Sequence, residues 1–165
     1  MNFKSNGGSS VSKQYVQYNK TIKKPSNPKR SKYIFCGWYS DSKLTKAWNF
    51  NNKITSGKTL YAKWKKISLK KATISKMQNV SGRKLKVTVK KVSGADGYQI
   101  QYSTSKKFAK GNKTKTISKN KTTSYTIKKL KKKKTYYVRI RTYKKVSGKT
   151  YYSGWSSVKK VKIKK

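Results

Sequence analysis

Beyond residue 84 the chain alternates apolar and polar positions at a spacing of two. Lys84-Leu85-Lys86-Val87-Thr88-Val89-Lys90 puts Leu85, Val87 and Val89 on one face and Lys84, Lys86, Thr88 and Lys90 on the other. A half-buried antiparallel strand reads this way. The same alternation recurs over residues 98–102, 125–127, 136–142 and 158–163. Turn clusters separate these runs: Ser93-Gly94-Ala95-Asp96-Gly97, Lys110-Gly111-Asn112 and Ser147-Gly148-Lys149. Short strands at this spacing predict an antiparallel β-sandwich. Nothing in this part has the period of a helix.

The first part of the chain carries a different pattern. Ser5-Asn6-Gly7-Gly8-Ser9 is a turn signal between Asn2-Phe3-Lys4 and the stretch from Val11 to Tyr18, and predicts a hairpin. Pro25 and Pro28 force an extended loop. Tyr33-Ile34-Phe35-Cys36-Gly37-Trp38-Tyr39 is aromatic and β-branched and predicts a strand. Asp41 is placed to cap a turn or a short helix over residues 43–48, and residues 59–64 predict a closing strand.

Composition narrows the chemistry. Of 165 residues 46 are Lys or Arg and two are acidic, with no His, for a net charge of +44. Hydrophobic residues make up 33%, yet aromatics reach 13%, which disordered polycations lack. The two acids, Asp41 and Asp96, leave no paired-carboxylate mechanism unless they meet, and the lack of His removes Ser-His-Asp and Cys-His catalysis. One Cys without His builds no zinc site, and calcium or magnesium would meet overwhelming repulsion. No catalytic residue, metal site or cofactor is therefore assigned. Cys36 is expected as a small buried hydrophobe.

Two resemblances follow from ordered motifs. Phe3-x-Ser5-Asn6-Gly7-Gly8, Lys24-Pro25-x-x-Pro28, Tyr33-x-Phe35-x-Gly37-Trp38-Tyr39, Trp48-x-Phe50 and Leu60-Tyr61-Ala62-Lys63-Trp64 resemble the Listeria-Bacteroides repeat, or internalin B-repeat. It departs in having Lys32 where a Gly usually precedes the Tyr, and its first strand starts at Met1 as if clipped. From Ala72 onward the chain looks like a bacterial fibronectin type III domain. Leu130 followed by Tyr136, Val138 and Ile140 matches that family's tyrosine corner, and Val92 to Tyr98 and Trp155-Ser156 fit as well. Val89 stands where that family often has a core Trp.

The resemblances imply a mainly β chain: a small β-grasp-like α+β module over 1–65, a linker over 66–71 and a fibronectin type III-like sandwich over 72–165. They also imply a wall-attached or secreted bacterial protein, whose signal peptide would lie outside this chain. No apolar run is long enough to span a bilayer.

The expected role is adhesion or retention through a lysine coat that attracts anionic cell-wall or host glycopolymers, such as wall teichoic acid and sulfated or sialylated glycans. Only Arg30, Arg83, Arg139 and Arg141 are Arg among the 46 basic residues, so capture is diffuse rather than bidentate. Candidate anion contacts are Lys84, Lys86, Lys90, Lys131, Lys132, Lys133, Lys134, Arg139, Arg141, Lys144, Lys145 and Lys149; Tyr151 and Tyr152 are candidates for stacking on a sugar. Tyr33, Phe35, Trp38, Trp48, Tyr98, Tyr136 and Trp155 are read as core. The alternatives are an accessory region of a larger secreted enzyme and a non-specific nucleic-acid binder.

Overall fold

The computed structural model describes residues 1–164, so the last position of the second expected module lies outside the described residues. The chain divides into two compact units, Met1–Ile67 and Ser68–Lys165. The boundary region is tied to both sides: Ile67 N donates to Lys32 O, and Thr142 Oγ1 donates to Lys70 O. The described residues form no α-helix.

The first unit is a three-stranded sheet of β1 (Asn2–Lys4), β2 (Tyr33–Tyr39) and β3 (Thr59–Lys66), in the order β1-β3-β2. The expected hairpin from β1 does not form. β1 runs parallel to β3 instead, with Phe3 opposite Leu60. The Ser5 to Gly8 turn leads out of the sheet, and the following stretch is held by main-chain hydrogen bonds between Met1 and Gln14 (2.7 and 3.0 Å), from Ser9 N to Lys29 O and from Asn19 N to Ile54 O, with Val11 and Val16 packed against the core. Asp41 caps a turn rather than a helix, accepting hydrogen bonds from the Thr45 and Lys46 amides and the Thr45 hydroxyl. The α part of the expected α+β module is absent among the described residues, which build it from strands and extended chain.

Trp38, Leu60 and Ala62 form the centre of this unit, with Phe3, Phe35, Trp48 and Trp64 packed around them. Phe35 meets Trp38 and Trp64 edge to face at 5.6 and 5.3 Å, an arrangement that suits the ring quadrupoles. Cys36 is exposed, against expectation. The cause is a bulge between Phe35 and Gly37, where the register against β3 slips by one residue. Gly37 has φ +117, which only glycine adopts readily, and Cys36 has no partner opposite it.

The second unit packs two sheets face to face. One has the order β4-β5-β8, from Ile74–Val80, Lys84–Val89 and Ser124–Ile127. The other has the order β10-β9-β6-β7, from Lys149–Tyr152, Thr135–Val146, Gly97–Ser103 and Lys113–Ile117; β11 (Lys159–Lys162) also pairs with β9. The predicted alternation holds: Leu85 and Val87 on β5 face Tyr98, Ile100, Val138 and Ile140, all fully buried. Val89 is buried too and completes the core at that site.

Two tyrosines bury their rings and use their hydroxyls on loop backbone. Tyr98 accepts from Val92 N at 3.0 Å and donates to Asn120 O at 3.1 Å. Tyr136 accepts from Lys131 N at 3.1 Å, tying the loop after Leu130 to the sandwich. Tyr136→Phe removes one such bond and is expected to lower stability by about 1 kcal/mol, read as a shift in urea midpoint at unchanged slope. A shift indistinguishable from zero would show that the hydroxyl is idle.

Candidate anion-binding surface

Residues on the outer faces of the second unit carry most of the expected contacts. On β5, Lys86 lies between Gln78 of β4 and Thr126 of β8, and Lys84 lies beside Val80. Alternation with the buried Leu85 and Val87 turns both lysines outward. Lys90 follows the strand and is exposed, its amide donating to Thr73 O. Lys131, Lys132, Lys133 and Lys134 form an exposed loop pinned by the Tyr136 hydroxyl and by main-chain bonds from Lys133 N to Ile163 O and from Ile163 N to Lys134 O. This gives four cationic side chains on a fixed backbone.

Arg139 and Arg141 are placed differently. They alternate with buried Val138 and Ile140 on β9, so both lie on the outer face of their sheet. There each guanidinium is enclosed between rings. Arg139 lies 4.2 Å from Phe108 and 4.6 Å from Trp155; Arg141 lies 4.3 Å from Trp155 and 3.8 Å from Tyr152. Across the ladder, Arg139 Nε donates to Gln101 Oε1 at 2.7 Å and Arg141 Nε to Gln99 Oε1 at 2.8 Å. Desolvation lowers both arginine pKa values, though a guanidinium stays charged at any working pH. The stack runs Phe108, Arg139, Trp155, Arg141, Tyr152, and it spends the flat faces of both cations on the fold.

Local backbone explains how Trp155 gets there. After β10, Ser153 Oγ and Ser156 Oγ accept from Thr142 N and Ile140 N, while the Ser153 and Ser156 amides donate to the carbonyls of the same two residues. The two serines thus continue the β9 ladder, and Trp155 between them is released onto the arginines. Trp155 is therefore a clamp on the outer face and not core, a correction to the sequence reading. Tyr33 likewise serves as a platform, with Arg30 at 3.9 Å from its ring. Trp38, Tyr98 and Tyr136 are buried as expected, and Phe35 and Trp48 are partly buried against the core.

Tyr152 is 43% exposed, but one face is already covered by Arg141. Tyr151 opposite Lys144 is partly buried. Lys144 is engaged as well: its ammonium donates to Gly94 O at 3.1 Å and pairs with Asp96 at 3.3 Å, while Lys145 offers Asp96 its amide at 2.8 Å. Lys149 is exposed at the β9-β10 turn. Lys144 to Asp96 is the one ion pair among the described residues. The two aspartates lie in different units, each committed to its own turn.

The hydrogen bond from Lys145 N, helped by Lys144, holds the Asp96 carboxyl below its ordinary 3.8 despite partial desolvation. A carboxyl depressed by folding stabilises above its unfolded pKa, and that stabilisation is lost as pH falls through the folded value. With no His or Glu in the sequence, stability should stay nearly level between about pH 5 and 7 and fall below about pH 4. Asp96→Asn should lower the plateau and shrink the acid decline of the second unit, as followed by thermal unfolding across pH. An unchanged profile would remove Asp96 from the account.

Between the free edges of β7 and β8 lies a groove of about 730 Å³, with Tyr102 and Tyr125 in its wall and Lys113, Lys115, Lys128 and Lys129 around it. β7 is hidden in the sequence because Lys113 and Lys115 stand at positions where a strand of this sandwich would carry apolar residues.

The comparisons with known proteins bear on this architecture. The profile of the Listeria-Bacteroides repeat domain matches residues 1–63, and that of the fibronectin type III domain matches residues 72–159. The chain belongs to the fibronectin type III family, behind a Listeria-Bacteroides repeat. The repeat is similar to two chains of Evansella cellulosilytica, described as a Gly-rich membrane protein and a membrane protein, at 46% and 42% identity over 65 residues. Each match covers 39% of this chain and spans only 8% and 10% of those relatives. In three dimensions the chain is similar to the crystal structure of chicken CNTN1 FN1-FN3 domains, with a TM-score of 0.52 at 17% identity over 73% of this chain and 38% of that one. That likeness concerns the fold. Fibronectin type III domains and Listeria-Bacteroides repeats are generally non-catalytic and fit a cell-surface binding or accessory region. No helix among the described residues is long and apolar enough to cross a membrane.

Proposed function

We propose that this region is a non-catalytic binding segment of an extracellular or wall-associated protein, and that it holds anionic glycopolymers through its lysine coat. The observation that carries this reading is the scarcity of acid: 46 basic side chains share two acidic residues in the whole sequence, and one of those, Asp96, is already taken by Lys144. A surface selected for solubility alone would accept Glu as readily as Lys. Long-range attraction to a polyanion favours one sign throughout.

Because Arg139 and Arg141 are stacked and Lys144 is paired, the contacts that remain turned to solvent are mainly Lys84, Lys86, Lys90, Lys131 to Lys134, Lys145 and Lys149. The testing experiment compares wall teichoic acid, a heparin-like glycan, mucin and duplex DNA over a series of salt concentrations. Retention of one glycopolymer at physiological salt supports the reading. Equal affinities and equal log-log salt slopes for all four would reduce it to ion exchange. Preferential retention of DNA would replace it with nucleic-acid binding.

A further inference from the structure

We propose that the groove between β7 and β8 is a subsite for one acidic saccharide unit of such a polymer; this rests on the glycopolymer reading and gives it a location. The two sides of the sandwich differ. On the β4 side, Asn79 closes the gap, its Nδ2 donating to Lys162 O at 2.9 Å and its Oδ1 accepting from Lys164 N at 3.3 Å. On the other side, β7 pairs only with β6 and β8 only with β5, leaving both outer edges unpaired among the described residues.

Register shows what fills the opening. Lys113 lies opposite Tyr102 and Lys115 opposite Ile100, both of which face the core, and the next residue in phase, Ile117, is buried. Directly paired residues share a face. Lys113 and Lys115 therefore occupy inward positions of a sandwich strand, across from Tyr125, which pairs with the buried Val87. Two residues of strand separate their Cα atoms by about 7 Å, so their ammonium groups can address neighbouring charges along a linear chain.

The wall is suited to a sugar. Tyr102 and Tyr125 both line the groove, and Tyr102 is otherwise buried. A second hollow of about 270 Å³ continues past Tyr102 and Lys113 to Tyr136 and Lys131. Lysines supply charge, tyrosine hydroxyls supply donors and acceptors, and a ring face meets the apolar face of a pyranose. A hollow of about 730 Å³ between the two edges has room for a saccharide unit and is too small for a nucleic-acid duplex. An added peptide strand is disfavoured, because charges pointing inward from an edge strand are a device that blocks edge-to-edge pairing.

That device is also the plain alternative: the lysines would guard the edge and bind nothing. The test uses the full chain and a sulfated, uronic-acid-containing tetrasaccharide, followed by calorimetry and by NMR shifts of the tyrosine rings. Three variants are compared: Lys113→Gln with Lys115→Gln, Tyr125→Ala, and a charge-matched control, the exposed Lys159→Gln with Lys160→Gln on β11. Circular dichroism and thermal unfolding establish that each is folded.

The groove pair is expected to weaken binding about tenfold or more, Tyr125→Ala to weaken it with charge unchanged, and the control pair to lose less than about threefold. If both lysine pairs lose the same amount while long glycopolymers still bind the wild type, the groove falls and the diffuse coat stands. If wild type holds no glycopolymer at physiological salt, the underlying reading falls with it. Aggregation of the groove variant with unaltered affinity would establish the edge guard instead. Tighter capture of a single-stranded DNA oligomer, lost in the groove pair, would assign the groove to nucleic acid and overturn the proposal.

Discussion

Gly97→Ala is expected to destabilise the second unit by about 3 kcal/mol or more, the largest effect of any single methyl group in it. Gly97 opens β6, pairs with Tyr143 of β9 and is buried. A Cβ placed there would run into the carbonyl oxygen of Ile117 on β7 and lie 3.0 Å from the Tyr143 ring and hydroxyl. The first obstacle is backbone, so relief requires β6 and β7 to separate at their pairing end. Gly154→Ala is the matched control, since its Cβ would meet only the end of the flexible Lys71 side chain. Urea unfolding of both variants should give a large midpoint loss for Gly97→Ala and little for Gly154→Ala; equal losses would contradict the geometry.

Trp155→Ala should cost about 2–3 kcal/mol, a large effect for a residue outside the core. Its ring is shared by two guanidiniums, at 4.6 and 4.3 Å. Removing it strips one face from each and leaves two partly desolvated cations beside one another. Trp155→Phe should recover part of the loss, because a smaller ring still presents a negative face to both. Thermal unfolding of the three proteins orders them as wild type, Phe and Ala. A loss below about 1 kcal/mol for Ala would mean that Phe108, Tyr152 and the two glutamines hold the arginines without it.

The sandwich was legible where one face is apolar without interruption. Leu85-x-Val87-x-Val89, Tyr98-x-Ile100-x-Tyr102 and Tyr136-x-Val138-x-Ile140 each have every second residue buried, and a period of two admits no helical reading. Three strands escaped for separate reasons. In β4 a bulge between Ile74 and Lys76 breaks the phase. In β7 lysines take the inward positions, so Lys113-Thr114-Lys115-Thr116 looks like a solvated loop. In β10 the strand is four residues long and its continuation is made by serines. Cys36 was misplaced by the same kind of event as β4, a bulge that period-two reasoning counts straight through.

The binding surface was legible as charge and not as position. That Lys84 and Lys86 point outward follows from their buried neighbours. That Arg139 and Arg141 are clamped depends on Phe108 and Trp155 arriving from loops 31 and 14 residues away in sequence from their respective partners. A trace of it does exist in the sequence: Gln99-x-Gln101 and Arg139-x-Arg141 share one outer face, and a hydrogen-bonded row of that kind needs a lid. The groove has no comparable trace, because it is created by two strands ending their sheets side by side.

The Asn79 clasp has a mechanical consequence. Asn79, near the end of β4, touches the chain just beyond β11, so the two terminal strands run the same way and the chain enters and leaves the second unit at opposite ends. Tension along a tethered chain would therefore pull these strands past each other lengthwise. Hydrogen bonds between β4 and β5 and between β11 and β9 would share the load and break together rather than peel one at a time.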